Sequence, residues 1–302
     1  MTGLLHIVAR NGRLCLVVGL LAGLALPGVA AALRPCLPAL VAVLLFLTAF
    51  RVGPGAALGE LALGRRTLGL VLVLQLVLPL AALAVLLPLG WAAAPFALAA
   101  VLMLAAPSVT GAPNFAIMTG QDPAPAMRLM VLGTALFPLT VLPVFWALPQ
   151  LGGAEGLGAA LRLVVVILGA VGAGLALRHL MDARVTPERL RALDGVTALA
   201  LAVIVVGLMS AIGPLLRADP MVLLGWAAAV FALNIGLQVL AFLIYRDEGR
   251  AAVSIVAGNR NIALFLIALP DRVVEPLLIF IGCYQIPMYL TPLLMRPLHD
   301  RA

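Results

Sequence analysis

The sequence predicts an all-α polytopic membrane protein with ten transmembrane helices, and three observations carry this prediction. Hydrophobic residues make up 64% of the 302-residue chain and charged residues only 10%, whereas a soluble domain carries about 25% charged residues. The mean hydropathy is +1.20. Apolar runs of about 20 residues, the length that crosses a bilayer, recur along the chain. No long polar stretch remains that could fold as a separate soluble domain.

Breaks at Arg, Gly and Pro divide the chain into ten apolar segments in two groups of five. The first five are Leu14–Leu33, Leu37–Val52, Leu68–Leu87, Ala92–Thr119 and Met127–Leu148. The second five are Leu157–Leu177, Val196–Leu216, Met221–Tyr245, Ala251–Leu269 and Val273–Met295. Gly and Pro do not argue against these spans, because both are common in transmembrane helices. We expect one repeat over residues 1–149 and a second over residues 157–295.

The first apolar segment also has some features of a signal peptide. Arg10 and Arg13 precede it, and Val29–Ala31 is loosely similar to a cleavage site. Its apolar region is long, however, and its removal would leave the first group with four segments. We therefore expect this segment to be retained.

The distribution of arginine predicts the orientation. All 19 basic residues are Arg, and the net charge is +7. Fourteen of them lie on one side of the predicted membrane, four lie on the other, and Arg260 lies within segment 9. Cytoplasmic loops are enriched in basic residues, so we expect both termini in the cytoplasm. The Arg-only composition suggests a bacterial inner membrane, with membrane lipid and no nucleic acid as partner.

The two halves carry interruptions at corresponding places. Segment 4 is interrupted over Pro107–Asn114 and segment 9 over Ala257–Asn261, while segments 3 and 8 each carry a single glutamine, Gln75 and Gln238. An odd number of segments per half requires the second half to be inverted. Corresponding broken helices in inverted halves point to the binding site of a transporter.

We predict that the two broken helices cross, with Pro113–Asn114 and Asn259–Asn261 meeting near the middle of the bilayer, and form a polar site. Pro113 removes a backbone donor, and Asn114 and Asn261 are placed to cap the half-helices that follow. The candidate substrate-binding residues are Thr110, Pro113, Asn114, Asn259, Arg260 and Asn261. A simple proline kink is the alternative for segment 4, and interhelical hydrogen bonding is the alternative for the two glutamines.

Arg260 is the sharpest feature of the sequence. An arginine in the middle of a membrane helix costs about 2.5–3.5 kcal/mol on insertion scales. No Asp or Glu lies in the middle of any predicted segment to pair with it. It either donates hydrogen bonds to carbonyls of the broken helices and to Gln75, or holds an anionic substrate, and the two roles are compatible.

At these residues the chain resembles the bile acid:sodium symporter family over nearly its whole length. The resemblance is carried by Thr110–Asn114, by Gly258–Asn261, and by Gln75 followed by Pro79. It implies a panel domain of segments 1, 2, 6 and 7 and a core domain of segments 3, 4, 5, 8, 9 and 10. It also implies alternating-access transport of organic anions, usually together with sodium.

The chain departs from the family pattern where sodium ligands are expected. Val256 stands where the family usually has Glu, Arg260 where it has Gln, and Pro113 where Ser is common. Apolar residues over 126–131 replace expected hydroxyl ligands. Gln75, Val256 and Arg260 therefore mark an ion site or its replacement. In the replacement, the guanidinium of Arg260 takes the place of the ion. Sodium is therefore a doubtful partner.

The sequence favours a secondary transporter of a small organic anion and not an enzyme. The three cysteines are far apart, and no metal-binding or catalytic set is present, so neither a metal nor a cofactor is expected. Two alternatives remain: a membrane sensor or binding protein on the same scaffold, and a conventional sodium:organic anion symporter.

Overall fold

The structure is a computed structural model that describes residues 2–55, 59 and 64–301. Across these ranges the chain is built of α-helices joined by short 3-10 turns, and its one β-type pairing is an isolated antiparallel bridge between Ser108 and Arg260.

The first half of the described chain contains eight helices, numbered here in chain order. They are α1 (Thr2–Arg10), α2 (Gly12–Ala25), α3 (Pro27–Leu33), α4 (Leu37–Val52), α5 (Arg65–Leu86), α6 (Pro95–Ala105), α7 (Ala112–Met118) and α8 (Ala124–Ala147). The second half contains six more. They are α9 (Ala154–Leu180), α10 (Pro187–Leu208), α11 (Ile212–Ala218), α12 (Pro220–Ile244), α13 (Arg250–Gly258) and α14 (Asp271–His299), with a 3-10 turn over Ile262–Ile267 between the last two.

Seven helical stretches of the described chain are long and apolar enough to cross a membrane, or eight if the bent pair α1–α2 is one crossing. The protein is therefore a polytopic helical membrane protein. Predicted segments 4 and 9 are absent from this set because each is split into pieces that are too short to cross alone. The ten-crossing layout with inverted repeats stays a prediction.

The predicted first segment has a different boundary in the structure. The helix stops at Leu26, and Pro27 begins the next helical stretch, which continues to Val52. Proline is well tolerated in the first turn of a helix, where its missing N–H has no intrahelical partner to lose. The break therefore falls before Pro27 and not between Leu33 and Leu37.

Large apolar side chains cover much of the outer surface. Val165 and Leu139 are each 69% exposed, and Leu180 is 80% exposed. A water-facing surface rarely carries so many contiguous apolar groups. Lipid tails are a suitable environment for such a surface.

The helices make two groups of contacts. In one, α10 packs against α1, α2 and α4, and α4 packs against α9. In the other, α12 packs against α13 and α14, and α8 packs against α5, α7 and α13. The first group uses the segments of the predicted panel and the second those of the predicted core, a division that remains a prediction. The 3-10 turn after α13 contacts α4, so the two groups meet beside the break in segment 9.

Candidate functional site

The break between α6 and α7 and the break after α13 meet through backbone hydrogen bonds. The N–H of Val109 donates to the carbonyl of Asn259 at 3.0 Å, and the N–H of Asn261 donates to the carbonyl of Pro107 at 2.8 Å. Both predicted breaks are confirmed, and each supplies partners for backbone groups that the other leaves open. This pairing matters because an unpaired backbone group in hydrocarbon costs several kcal/mol.

The crossing lies earlier in segment 4 than Pro113 and Asn114, where we predicted it. Ala106 has an extended backbone, as expected for a residue before proline, and Pro107 thus ends α6. Pro113 is buried in the first turn of α7, where proline fits without breaking the helix. The predicted cap by Asn114 is wrong, since Gly111 is the N-cap residue and the side chain of Asn114 is exposed.

The second part of segment 9 also differs from the prediction. After the break the chain forms a 3-10 turn over Ile262–Ile267 and not an α-helix. Asn261 occupies the N-cap position, but its side chain makes no capping hydrogen bond. Short 3-10 pieces commonly serve as connectors, and this one leads into Pro270, which precedes α14.

The guanidinium of Arg260 lies inside the crossing and is sealed from its surroundings. The side chain is 1% exposed. Its Nε donates to the carbonyl of Ala257 at 3.1 Å, Nη1 to that of Ala106 at 3.2 Å, and Nη2 to that of Leu74 at 3.3 Å. No carboxylate in the described part of the chain forms an ion pair with it.

Each of these three carbonyls lacks a helical donor, and in α5 the cause is local. Val73–Val77 forms a π turn, in which the N–H of Leu78 donates to the carbonyl of Val73. The next residue, Pro79, has no N–H. The carbonyl of Leu74 therefore has no donor within its own helix and is left for the guanidinium. The other two carbonyls lie at the C-terminal ends of α6 and α13, where backbone acceptors are normally left open.

Arg260 is therefore held by the C-terminal ends of two helices and by one carbonyl freed within α5, and not by a side chain of opposite charge. Helix C-termini carry partial negative charge that favours a cation. The predicted bond from Arg260 to Gln75 is not formed. Gln75 instead accepts a hydrogen bond from the hydroxyl of Thr140 at 3.3 Å and is buried.

Val256 is part of a buried apolar cluster. Its neighbours there include Ala112 and Ala116 of α7 and Ala126 and Leu129 of α8. These side chains offer no oxygen ligand, and a bare ion among them would carry a large desolvation cost. Among the described residues there is also no group of three or more His, Cys, Asp or Glu side chains that could hold a metal ion.

A buried polar network formed with side chains of α12 and α14 fixes Asn259 at the crossing. The Oδ1 of Asn259 accepts from the hydroxyl of Thr291 at 3.1 Å and from the amide of Asn234 at 3.4 Å. The same Asn234 amide donates to the carbonyl of Gly258 at 2.6 Å. Gln238 donates to Asn234 at 2.7 Å and to Thr291 at 3.0 Å. Such a connected network favours one arrangement of the crossing.

Tyr284 of α14 joins this layer. Its hydroxyl donates to the carbonyl of Gly258 and accepts the backbone N–H of Arg260 at 2.8 Å. From the sequence, no role at the crossing is predicted for Tyr284, Asn234 or Thr291. One signal was available for Asn234, because it lies one turn before Gln238 on the same face of an otherwise apolar helix.

Three polar side chains of the two breaks are accessible in the described structure. Asn114 is exposed, Thr110 and Asn261 are partly exposed, and in the described structure no hydrogen bond is made by any of their side chains. Of the six candidate substrate-binding residues, these three are accessible. Pro113, Asn259 and Arg260 are buried. The crossing thus has a fixed buried layer and three accessible polar side chains.

Neither a comparison with protein-family models nor one with curated proteins finds a match for this chain. The class that the fold defines is a polytopic helical membrane protein with two broken segments that cross. The resemblance to the bile acid:sodium symporter family rests on the residues quoted for it above.

Proposed function

We propose that the protein is a secondary transporter of a small organic anion that works by alternating access and uses no sodium at the crossing. The observation that carries this proposal is the hydrogen-bonded crossing with Arg260 inside it. Irregular backbone at membrane depth is tolerated only where protein buries it or where it lines a water-filled cavity. In transporters such backbone forms the substrate site.

The charge of Arg260 supports an anionic substrate. No described carboxylate neutralises it, and the freed carbonyls do so only in part. A unit charge 7 Å away attracts an anion by about 2 kcal/mol at an effective dielectric of 20. Because the guanidinium is sealed, we infer that it acts through its field. Direct contacts would come from Thr110, Asn114 and Asn261.

Two features support transport without sodium: the carbonyls that already accept hydrogen bonds from Arg260, and the apolar cluster that includes Val256. Arg260 already takes the main-chain oxygens that a cation would need at the crossing, and Val256 provides no replacement. A sodium ion 4 Å from the guanidinium would be repelled by about 4 kcal/mol at an effective dielectric of 20. Transport would then be uniport, exchange or proton-linked.

The ten-crossing arrangement, the two inverted repeats and the panel and core domains belong to the same proposal. The segment pattern and the two groups of helix contacts support it. The excess of arginine on one side supports cytoplasmic termini in a bacterial inner membrane.

Uptake into proteoliposomes tests the proposal. We expect labelled monocarboxylates to enter protein-containing vesicles faster than empty ones, and labelled sugars or organic cations not to do so. Replacing sodium by choline at fixed ionic strength should leave the initial rate within about twofold, because no site for the ion is left. Failure to move any anion would refute transport. A steep sodium dependence that persists in Arg260→Gln would refute the sodium-free site alone.

Replacing Asn114 by the isosteric but negatively charged Asp tests whether the accessible side chains of the crossing contact the substrate. Asn114→Asp removes no hydrogen bond of the described structure, because the side chain makes none. A carboxylate there should repel the substrate, so we expect anion uptake to fall about tenfold or more, equivalent to about 1.4 kcal/mol. Thermal stability should not change. Asn11→Asp is the control for a negative charge away from the crossing: Asn11 is also exposed but lies between α1 and α2, and its amide donates a hydrogen bond to the carbonyl of Ile7 at 2.8 Å that the change removes. Equal uptake in the two variants would remove Asn114 from the site.

A further inference from the structure

A cavity of about 620 Å³ lies at the arginine-rich end of α5, α8, α12 and α13. This volume is in the range of pockets that bind small molecules, about 300–1,000 Å³. Four arginines contribute to its lining, and they are Arg66, Arg128, Arg246 and Arg250.

This cavity is separate from the crossing of the broken segments. Leu129 and Val253, which line it, belong to the apolar cluster that includes Val256, and the described lining contains no residue of the crossing. Along α13 the distance from Arg250 to Ala257, whose carbonyl binds Arg260, is about 10 Å at 1.5 Å per residue. A ligand in the cavity would therefore not touch the crossing.

The acidic residues of the lining leave part of its positive charge available. Asp247 forms an ion pair with Arg66 at 2.6 Å. Asp122 accepts the backbone N–H of Ala124 at 3.0 Å. Glu248 is exposed and forms no ion pair in the described chain.

Arg250 is a fixed cation without an acidic partner. Its guanidinium lies over the ring of Phe242, 3.7 Å from the centroid, and its Nη2 donates to the carbonyl of the same residue at 3.4 Å. No described carboxylate is within 4.0 Å of it. A cation–π contact holds a guanidinium in place and leaves its charge unneutralised.

We propose that this cavity binds a small anion through a carboxylate or phosphate group, with Arg250 as its main ligand. The planar fork of arginine matches both groups and binds them through charge-assisted hydrogen bonds. The group could belong to a free solute or to the head group of an anionic lipid. The proposal does not depend on transport.

Binding of inorganic phosphate and succinate to the detergent-purified protein tests this inference. Titration calorimetry at fixed ionic strength should show saturable binding of at least one of them. We expect Arg250→Gln to weaken it about tenfold or more, the usual effect of losing a hydrogen bond to a charged group, and Arg250→Lys to retain part of it. Arg296→Gln is the matched control, because Arg296 is an exposed arginine that does not line the cavity.

Each outcome of these binding measurements either supports or overturns the proposed anion site. Absence of saturable binding, or equal affinity in Arg250→Gln and wild type, would overturn the proposal, and an unchanged elution volume shows that the variant is folded. Competition with phosphate by phosphatidylglycerol in nanodiscs, lost in Arg250→Gln, would identify a lipid head group as the source, and lack of competition would identify a free solute. Asn114→Asp should bind phosphate normally, so failure of the transport proposal leaves this inference intact.

Discussion

Replacing Arg260 by Ala is expected to lower the melting temperature of the protein by about 10 °C or more. The change leaves the carbonyls of Leu74, Ala106 and Ala257 buried without donors, at a cost of about 1–3 kcal/mol for each group. A loss of several kcal/mol in the free energy of unfolding lowers the melting temperature of a protein of this size by about 10 °C or more. Size-exclusion chromatography after heating in detergent measures it.

Rescue by added cations and a control variant distinguish a cation-binding role of the Arg260 site from ordinary packing. We expect methylguanidinium, and to a lesser degree sodium in place of choline, to raise the melting temperature of Arg260→Ala and not that of the wild type. Arg162→Ala is the control, because Arg162 is exposed on α9 and makes only one long hydrogen bond within its own helix. If Arg260→Ala melts like wild type, the three carbonyl bonds do not stabilise the crossing.

Replacing Gly258 by Ala should disrupt the buried polar layer. An added Cβ would lie closer than 3.0 Å to the carbonyl oxygen of Asn234 and to Cγ of Gln238. Overpacking of this kind costs about 1–3 kcal/mol or more, and here it also separates α12 from the crossing. We expect a lower melting temperature and a loss of anion uptake.

Gly236→Ala provides the matched control for this prediction. Gly236 lies on α12, and an added Cβ would meet no heavy atom within 4 Å. Alanine in a helix interior is favoured over glycine by about 0.5–1 kcal/mol, so the control should be as stable as wild type or slightly more stable. Similar melting and uptake in the two variants would show that Gly258 is not a close-contact position.

Composition and local chemistry predicted the class of the protein and the existence of both breaks, because these depend on residues close in sequence. The exact place of the crossing was less predictable. Proline can end a helix or begin one, and the sequence alone does not say that Pro107 does the first and Pro113 the second.

The partners of Arg260 could not be predicted for a different reason. All three are main-chain carbonyls, and two of them are remote in sequence. One is that of Leu74 in the π turn of α5, and the other is that of Ala106 at the end of α6. Every residue has such a carbonyl, and its availability depends on which helical hydrogen bonds the fold leaves unmade. The buried amide of Asn234 was not predicted as part of the site, because in segment 8 only Gln238 was matched with a counterpart in segment 3, Gln75.

The guanidinium of Arg260 is covalently attached to the chain, and this attachment has a thermodynamic consequence. A guanidinium on a side chain cannot cross the membrane, so no ion gradient can do work through it. Where the proposed transport is uniport, each monoanion moves with one net negative charge. A membrane potential of about 100 mV, negative inside, favours its exit by about 2.3 kcal/mol, or roughly 50-fold in concentration. A carrier of this kind, left to the voltage alone, would drain its substrate from the cell and would not accumulate it.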